Sequence, residues 1–129
     1  MKAFAQVEWD RAVRALASAR NLAETDPDSA ASRAYYAAFH ALTALFALRG
    51  QTYTRHSAIR SALHRELVRT GLMAESVGRD YDFLMDMRET GDYGGLALVT
   101  PASAATAVRK AESFLAAIAK MCPELAGGE

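Results

Sequence analysis

The fold is decided by a long helical pattern in the first half of the chain, Ser32-Arg33-Ala34-Tyr35-Tyr36-Ala37-Ala38-Phe39-His40-Ala41-Leu42-Thr43-Ala44-Leu45-Phe46-Ala47-Leu48. Its largest apolar side chains recur at helical spacing and are Tyr35, Phe39, Leu42 and Phe46. Such a stripe is typical of a helix that buries one face in a core. Asp26 is a favourable N-cap, Pro27 suits a first turn, and Gly50 suits a C-terminal end. These signals predict a helix over Pro27–Leu48 at the centre of the fold.

Four further helices are predicted around this one, because helix-favouring Ala, Leu, Arg and Glu are plentiful along the chain. Their expected bounds are about residues 7–23, 55–70, 76–88 and 101–121. The glycine-rich stretch 91–95 is expected to break the chain after the fourth helix, and residues 122–129 to form a frayed tail. We therefore predict an all-α, up-and-down helical bundle of about five helices. It forms a single domain over residues 1–129 with its core at about 5–121, mostly from the second, fourth and fifth helices.

Composition limits the class of protein. The 129 residues are 51% hydrophobic and 23% charged with a net charge of zero, which suits one folded domain and argues against a disordered chain. A zero net charge gives no overall attraction to nucleic acid. No apolar run approaches the ~18 residues of a membrane span, and the first residues lack the apolar core of a signal peptide. We therefore expect a cytoplasmic protein that does not contact the membrane.

Several common chemistries lack their motifs. The sequence has no Gly-rich phosphate loop, no Gly-x-Ser-x-Gly elbow and no Glu-x-x-His pair. Cys122 is the single cysteine, which excludes an internal disulfide framework and a Cys-rich zinc site. We expect neither a metal nor a cofactor.

The central helix also carries a polar face. Arg33 and His40 are seven residues apart, so they lie on one side of the helix, two turns from each other. Tyr36 lies between this face and the apolar stripe. One interpretation is an exposed or dimer-facing polar stripe, which general burial preferences favour. The other is an Arg/Tyr/His site for a phosphate or a nucleotide.

The third helix is locally basic. His56, Arg60 and His64 are each four residues apart and form a stripe next to an apolar seam. A basic stripe of this kind can hold phosphates. The next segment, residues 75–92, is acidic, so pairing of the two segments within the fold is the favoured explanation.

Arg88 continues the apolar stripe of the fourth helix, seven residues after Tyr81. A charged side chain in that position needs a partner or a cleft. Asp92, four residues on, is the expected partner if the helix extends that far. Tyr93 follows directly, so the end of this helix is a candidate site.

Three pieces of the sequence, in this order and spacing, resemble the small stand-alone branch of the HEPN-domain family. They are Ser32-Arg33-Ala34-Tyr35-Tyr36-Ala37-Ala38-Phe39-His40-Ala41, then Thr54-Arg55-His56-Ser57-Ala58-Ile59-Arg60 with Leu67-Val68-Arg69-Thr70-Gly71-Leu72, and finally Arg88-Glu89-Thr90-Gly91-Asp92-Tyr93. The resemblance implies a helical bundle that forms a homodimer. It also implies a minimal nucleotidyltransferase as partner, in a toxin–antitoxin pair.

Active members of that family are metal-independent ribonucleases whose motif is an Arg followed by a His. In family position Arg88 matches the Arg, but Tyr93 stands where the His belongs, and the acidic Glu89 follows the Arg. The family motif has four to six residues between its Arg and its His. Arg33 and His40 also have this spacing, but they lie on another helix. The resemblance therefore implies a nucleotide- or RNA-binding protein more than a nuclease.

In that interpretation Arg33 and Arg88 hold phosphate with Tyr36, Asp92 orients Arg88, and Tyr93 lines the cleft. An alternative is a metal-independent ribonuclease toxin, with His40 as the acid–base group and Arg88 or Arg33 at the phosphate. A third possibility is a purely structural interaction protein without a ligand, whose polar stripe is a dimer seam.

Overall fold

The structure is a computed structural model of the chain, and it describes residues 1–93 and 98–127. The helices are α1 Lys2–Leu22, α2 Pro27–Leu48, α3 His56–Ala62, α4 Glu75–Tyr93, α5 Pro101–Met121 and α6 Pro123–Gly127. Residues Leu63–Val68 continue α3 as a stretch of π-helix. The described residues contain no strand, and the predicted all-α bundle is confirmed.

The bounds of α2 and α5 agree with the prediction because their end signals are local. The Asp26 carboxylate accepts a hydrogen bond from the Ser29 amide at 3.3 Å, and Gly50 follows the helix with a φ of +78°, which suits glycine. At α5, Thr100 and Ser103 form a reciprocal capping box.

The core differs in one respect from the prediction. α2 is central and packs against α1, α4 and α5, but α1 supplies a larger share of the core than expected. Its buried face carries small residues along its length, namely Ala5, Ala12, Ala15 and Ala19, with Trp9 and Leu16 between them. Small side chains let α1 approach α2 closely over most of its length. Each of the described helices, α1 to α6, contributes buried residues to the main cluster.

Three other boundaries differ from the prediction. α1 begins five residues earlier, at Lys2. α4 continues past Arg88 to Tyr93, because Gly91 lies within the helix and packs against the Asp28 backbone of α2. The rest of the predicted break, residues 94 and 95, lies outside the described residues. The tail forms the short helix α6, whose Leu125 is buried and whose Leu125 carbonyl accepts a hydrogen bond from Gln6 at 3.4 Å. Among the described residues, no helix is long and apolar enough to cross a membrane.

Candidate functional site

An aromatic cluster fills the space where α2, α3 and α4 meet. It consists of Tyr35, Tyr36, Phe39, His56 and Tyr81. The His56 ring stacks on Phe39 with centroids 4.4 Å apart, and it meets Tyr36 edge-on at 5.8 Å. The rings of Tyr35 and Tyr81 pack edge-on at 5.7 Å. Such packing fixes the ring orientations beyond what burial alone achieves.

A chain of hydrogen bonds runs through this aromatic cluster. The Tyr35 hydroxyl bonds His56 Nδ1 at 2.6 Å and the Tyr81 hydroxyl at 3.3 Å. Burial lowers the pKa of His56, and the nearby charge of Arg88 adds to that effect. Burial also raises the pKa of Tyr35 and raises that of Tyr81 well above its usual value. The three side chains joined by these hydrogen bonds are therefore uncharged near pH 7, and both tyrosine hydroxyls keep their protons.

Two guanidinium groups converge on the ring of Tyr36. Arg33 Cζ lies 5.2 Å from the ring centroid, and Arg88 Cζ lies 5.6 Å from it. Arg88 also lies 5.7 Å from the Tyr35 ring. These distances fall within the range of cation–π contacts. We call Arg33, Tyr36, His40 and Arg88 the Tyr36 site.

The expected pairing at the end of α4 is present. Arg88 Nε donates to Asp92 Oδ2 at 3.0 Å, so the helix reaches far enough for the predicted contact. Asp92 also lines a cavity of about 370 Å³ together with Arg33, Ser29, Ser32 and Gly91. Tyr93 ends α4, but its side chain lies outside the described residues, so its predicted place in the cleft stays a prediction.

His40 is held by a residue that sequence reasoning missed. Its Nδ1 donates to Glu8 Oε1 at 2.8 Å, and Glu8 Oε2 accepts from Arg11 at 2.7 Å. Among the described residues, Glu8 is the one charged side chain that is buried, at 4% exposure. Its signal was its position, since Glu8 falls between Ala5 and Ala12 on the buried face of α1.

The basic stripe of α3 does not act as one unit. His56 turns into the aromatic cluster, whereas Arg60 and His64 both bond Asp82 Oδ1 of α4, at 2.8 Å and 3.0 Å. The favoured explanation, pairing between the basic and acidic segments, is confirmed for these two residues. Both also line a groove beside α3.

The polar face of α2 is only partly exposed to solvent, so it is not the fully exposed stripe of the first interpretation. Arg33 is exposed, but His40 is half-buried beneath α1, and Ala47 on the same face is fully buried. One chain alone brings Arg33, Tyr36 and Arg88 together, without a contribution from a second copy. His40 joins them through its ring, 6.2 Å from that of Tyr36.

The sequence is similar to known proteins. A family model for the HEPN domain matches residues 5–121, a range that includes the whole Tyr36 site. A UPF0332 protein from Thermotoga maritima (strain MSB8) is 38% identical over 97 residues, which cover 75% of this chain and 74% of the relative. The resemblance seen in the three sequence pieces thus extends over nearly all of the bundle, and the chain belongs to the HEPN domain family.

Proposed function

We propose that the protein is a nucleotide- or RNA-binding HEPN domain and that the Tyr36 site holds the ligand. The observation that carries the proposal is the convergence of Arg33 and Arg88 on one half-buried tyrosine ring. A base stacks well on an aromatic or guanidinium face, and guanidinium groups pair with phosphate in a bidentate way. Asp92 orients Arg88 for this role through their 3.0 Å hydrogen bond.

The space beside the site suits a ligand of nucleotide size. The cavity of about 370 Å³ falls in the range typical of small-molecule sites. Its wall combines the Arg33 guanidinium with the hydroxyls of Ser29 and Ser32 and the carboxylates of Asp28 and Asp92. The cation suits a phosphate, while the hydroxyls and carboxylates can accept hydrogen bonds from a ribose or a base.

Binding is tested with adenosine monophosphate and a short single-stranded RNA, measured by titration calorimetry. Tyr36→Leu is expected to weaken binding roughly five- to a hundredfold, because it removes the stacking face. Tyr36→Phe retains the ring and should bind nearly as the wild type does. Arg33→Ala is expected to weaken binding and to reduce its salt dependence. Arg109→Ala on α5, where the guanidinium donates to Thr106 Oγ1 at 3.0 Å, is the charge-matched control.

If the folded wild-type protein binds neither ligand, the proposal is wrong, and a structural interaction protein is the remaining candidate. If Arg33→Ala and Arg109→Ala weaken ligand binding by the same factor, binding is non-specific and does not use the Tyr36 site.

We propose further that the protein acts in the cytoplasm as a homodimer, with a minimal nucleotidyltransferase as partner in a toxin–antitoxin-like pair. Membership of the HEPN family supports this assignment. The expected results are a dimeric mass by light scattering at micromolar concentration and co-purification with a nucleotidyltransferase encoded beside it. A monomer that retains no such partner would contradict it.

The contact between Glu8 and His40 favours a second candidate function, a metal-independent ribonuclease. A buried carboxylate on Nδ1 fixes the tautomer and leaves Nε2 to exchange protons. His40 would take the proton of a ribose 2′-hydroxyl, whose oxygen attacks the adjacent phosphate. The 5′-oxygen then leaves with a proton from solvent, His40 returns its own proton to solvent, and Arg33 or Arg88 stabilises the phosphate charge.

This candidate predicts RNA cleavage in the presence of EDTA. His40→Ala is expected to lower the rate roughly 10²- to 10⁴-fold, the usual contribution of a general acid or base. Glu8→Gln should retain binding but lose part of the rate, because the imidazole is no longer held by a carboxylate. Thr43→Ala, one turn along α2, is the matched control. Cleavage that survives in His40→Ala would remove His40 from the chemistry.

A further inference from the structure

A cationic groove lies beside α3, apart from the Tyr36 site. Its volume is about 500 Å³, and its lining residues are Ser57, Arg60, Ser61, His64, Arg65, Arg69 and Met85. Three arginines, a histidine and two serine hydroxyls thus share one wall. Arg65 and Arg69 line this groove and lie outside the Tyr36 site.

The π-helical stretch places the last of these cations in the groove. The Arg69 amide bonds the His64 carbonyl at 2.9 Å, a spacing of five residues. Because of this wider turn, Arg69 follows His64 on the groove side, where a regular α-helix would place Val68. Val68 instead packs against Gly78 of α4, where a Cβ would lie 2.9 Å from Val68 Cγ2.

The charges along the groove are only partly neutralised. A single carboxylate, Asp82, serves both Arg60 and His64, and Arg65 pairs with Glu66 at 3.0 Å. Arg69 is exposed and makes no ion pair within residues 1–93 and 98–127. The groove therefore retains positive charge in a protein whose net charge is zero.

The seam between α3 and α4 leads from the groove toward the Tyr36 site, where His56 of α3 meets the Tyr36 ring at 5.8 Å. His56 lies one turn before Arg60 on α3, and Met85 lies one turn before Arg88 on α4. Arg60 approaches Met85, with its Nη1 3.7 Å from the sulfur. Burial raises the pKa of Tyr35, while the nearby charges of Arg88 and Arg60 both lower it. From His56 to Arg69 the helix axis rises by at most about 20 Å, the value for an α-helix at 1.5 Å per residue.

We infer that this groove is a second phosphate site for the same ligand, and that the ligand is therefore a single-stranded polynucleotide instead of a mononucleotide. The inference rests on the proposed function and specifies its substrate class. A seam of this length accommodates up to about six nucleotides, taking the 3.4 Å rise of one duplex strand as the closest spacing. The backbone follows the cations of α3, while one base stacks at Tyr36.

The test compares adenosine monophosphate with adenylate oligomers of up to about ten nucleotides. Affinity is expected to rise with length to about six nucleotides and then to level. Arg69→Ala and Arg65→Ala should each weaken the binding of the longer oligomers roughly two- to fivefold. Each should also lower the slope of log affinity against log salt by about 0.7. Neither variant should change the affinity for the monophosphate. Arg109→Ala should change the affinity for neither ligand.

Equal affinities for the monophosphate and the oligomers would overturn the inference and leave the proposed function intact. An Arg69→Ala variant that behaves like Arg109→Ala would do the same. Arg69 is exposed, so its loss leaves the fold intact and both results remain interpretable. If neither ligand binds to the wild-type protein, the proposed function itself fails.

Discussion

Replacing Tyr35 with phenylalanine is expected to lower the free energy of unfolding by about 1–3 kcal/mol, the cost of leaving a buried polar group without its partner. The Tyr35 hydroxyl bonds both His56 Nδ1 and the Tyr81 hydroxyl. Tyr81 is fully buried, so water cannot readily replace the lost bond. Chemical denaturation of the variant and the wild type measures the difference. Tyr53→Phe is the matched control, because Tyr53 is half-buried and its hydroxyl bonds the side chains of Gln51 and Glu66. A change within about 0.5 kcal/mol is expected.

A double-mutant cycle with Tyr81→Phe tests the cause of this loss. If the penalty comes from an unpaired hydroxyl, the double variant should lose less stability than the two single variants together, since it leaves no Tyr81 hydroxyl to satisfy. Strict additivity would show that the two hydroxyls do not stabilise each other. The ring packing at 5.7 Å is kept in all four proteins.

Sequence patterns anticipate those parts of the fold that depend on neighbouring residues. The ends of α2 and α5 follow from caps within a few residues, such as Asp26 and Thr100, and both helices have the predicted bounds. The pairing of Arg88 with Asp92 is also local, because the two residues are one turn apart on one helix. The end of α4 depends on the contact of Gly91 with Asp28 of α2. The sequence around Gly91 gives no sign of this contact.

The same limit applies to the candidate site. Residue type and position identify the members of the candidate site, namely Arg33, Tyr36, His40 and Arg88. The approach of Arg88 to the Tyr36 ring depends on how α2 and α4 pack. Glu8 was missed because its partner lies on a different helix. The rule that identified Arg88, a charge within an apolar stripe, applies equally to Glu8. His56 was grouped with Arg60 by spacing, and only the packing of α3 separates them.

Gly91 shows how a residue typical of a break can instead join two helices. A Cβ at this position would lie 2.8 Å from the Asp28 carbonyl oxygen and 3.4 Å from Asp28 Cα. These are backbone atoms at the start of α2, and they cannot rotate away. The absence of a side chain therefore lets the last turns of α4 rest directly on α2, where Arg33 and Asp92 border one cavity.

Gly91→Ala is accordingly expected to destabilise the fold, although alanine favours a helix by about 1 kcal/mol over glycine. Overpacking against backbone typically costs about 1–3 kcal/mol, so the net loss is on the order of 1 kcal/mol. Gly78→Ala in the same helix is the matched comparison, because its new Cβ would meet side-chain atoms, Val68 Cγ2 at 2.9 Å and His64 Cε1 at 3.1 Å. Side chains can shift, so the helix gain should offset more of the strain and the loss should be smaller.

The same pair of variants separates stability from the geometry of the site. Under conditions where both are folded, Gly91→Ala should weaken the binding of adenosine monophosphate, since it displaces Asp92 and Arg88 from Arg33. Gly78→Ala should retain that affinity, because it lies more than three turns away along α4. Denaturation and calorimetry on the two proteins give both values. A Gly91→Ala variant more stable than the wild type, as helix propensity alone predicts, would mean that α2 and α4 do not depend on this close approach, and that the position of Arg88 is set elsewhere.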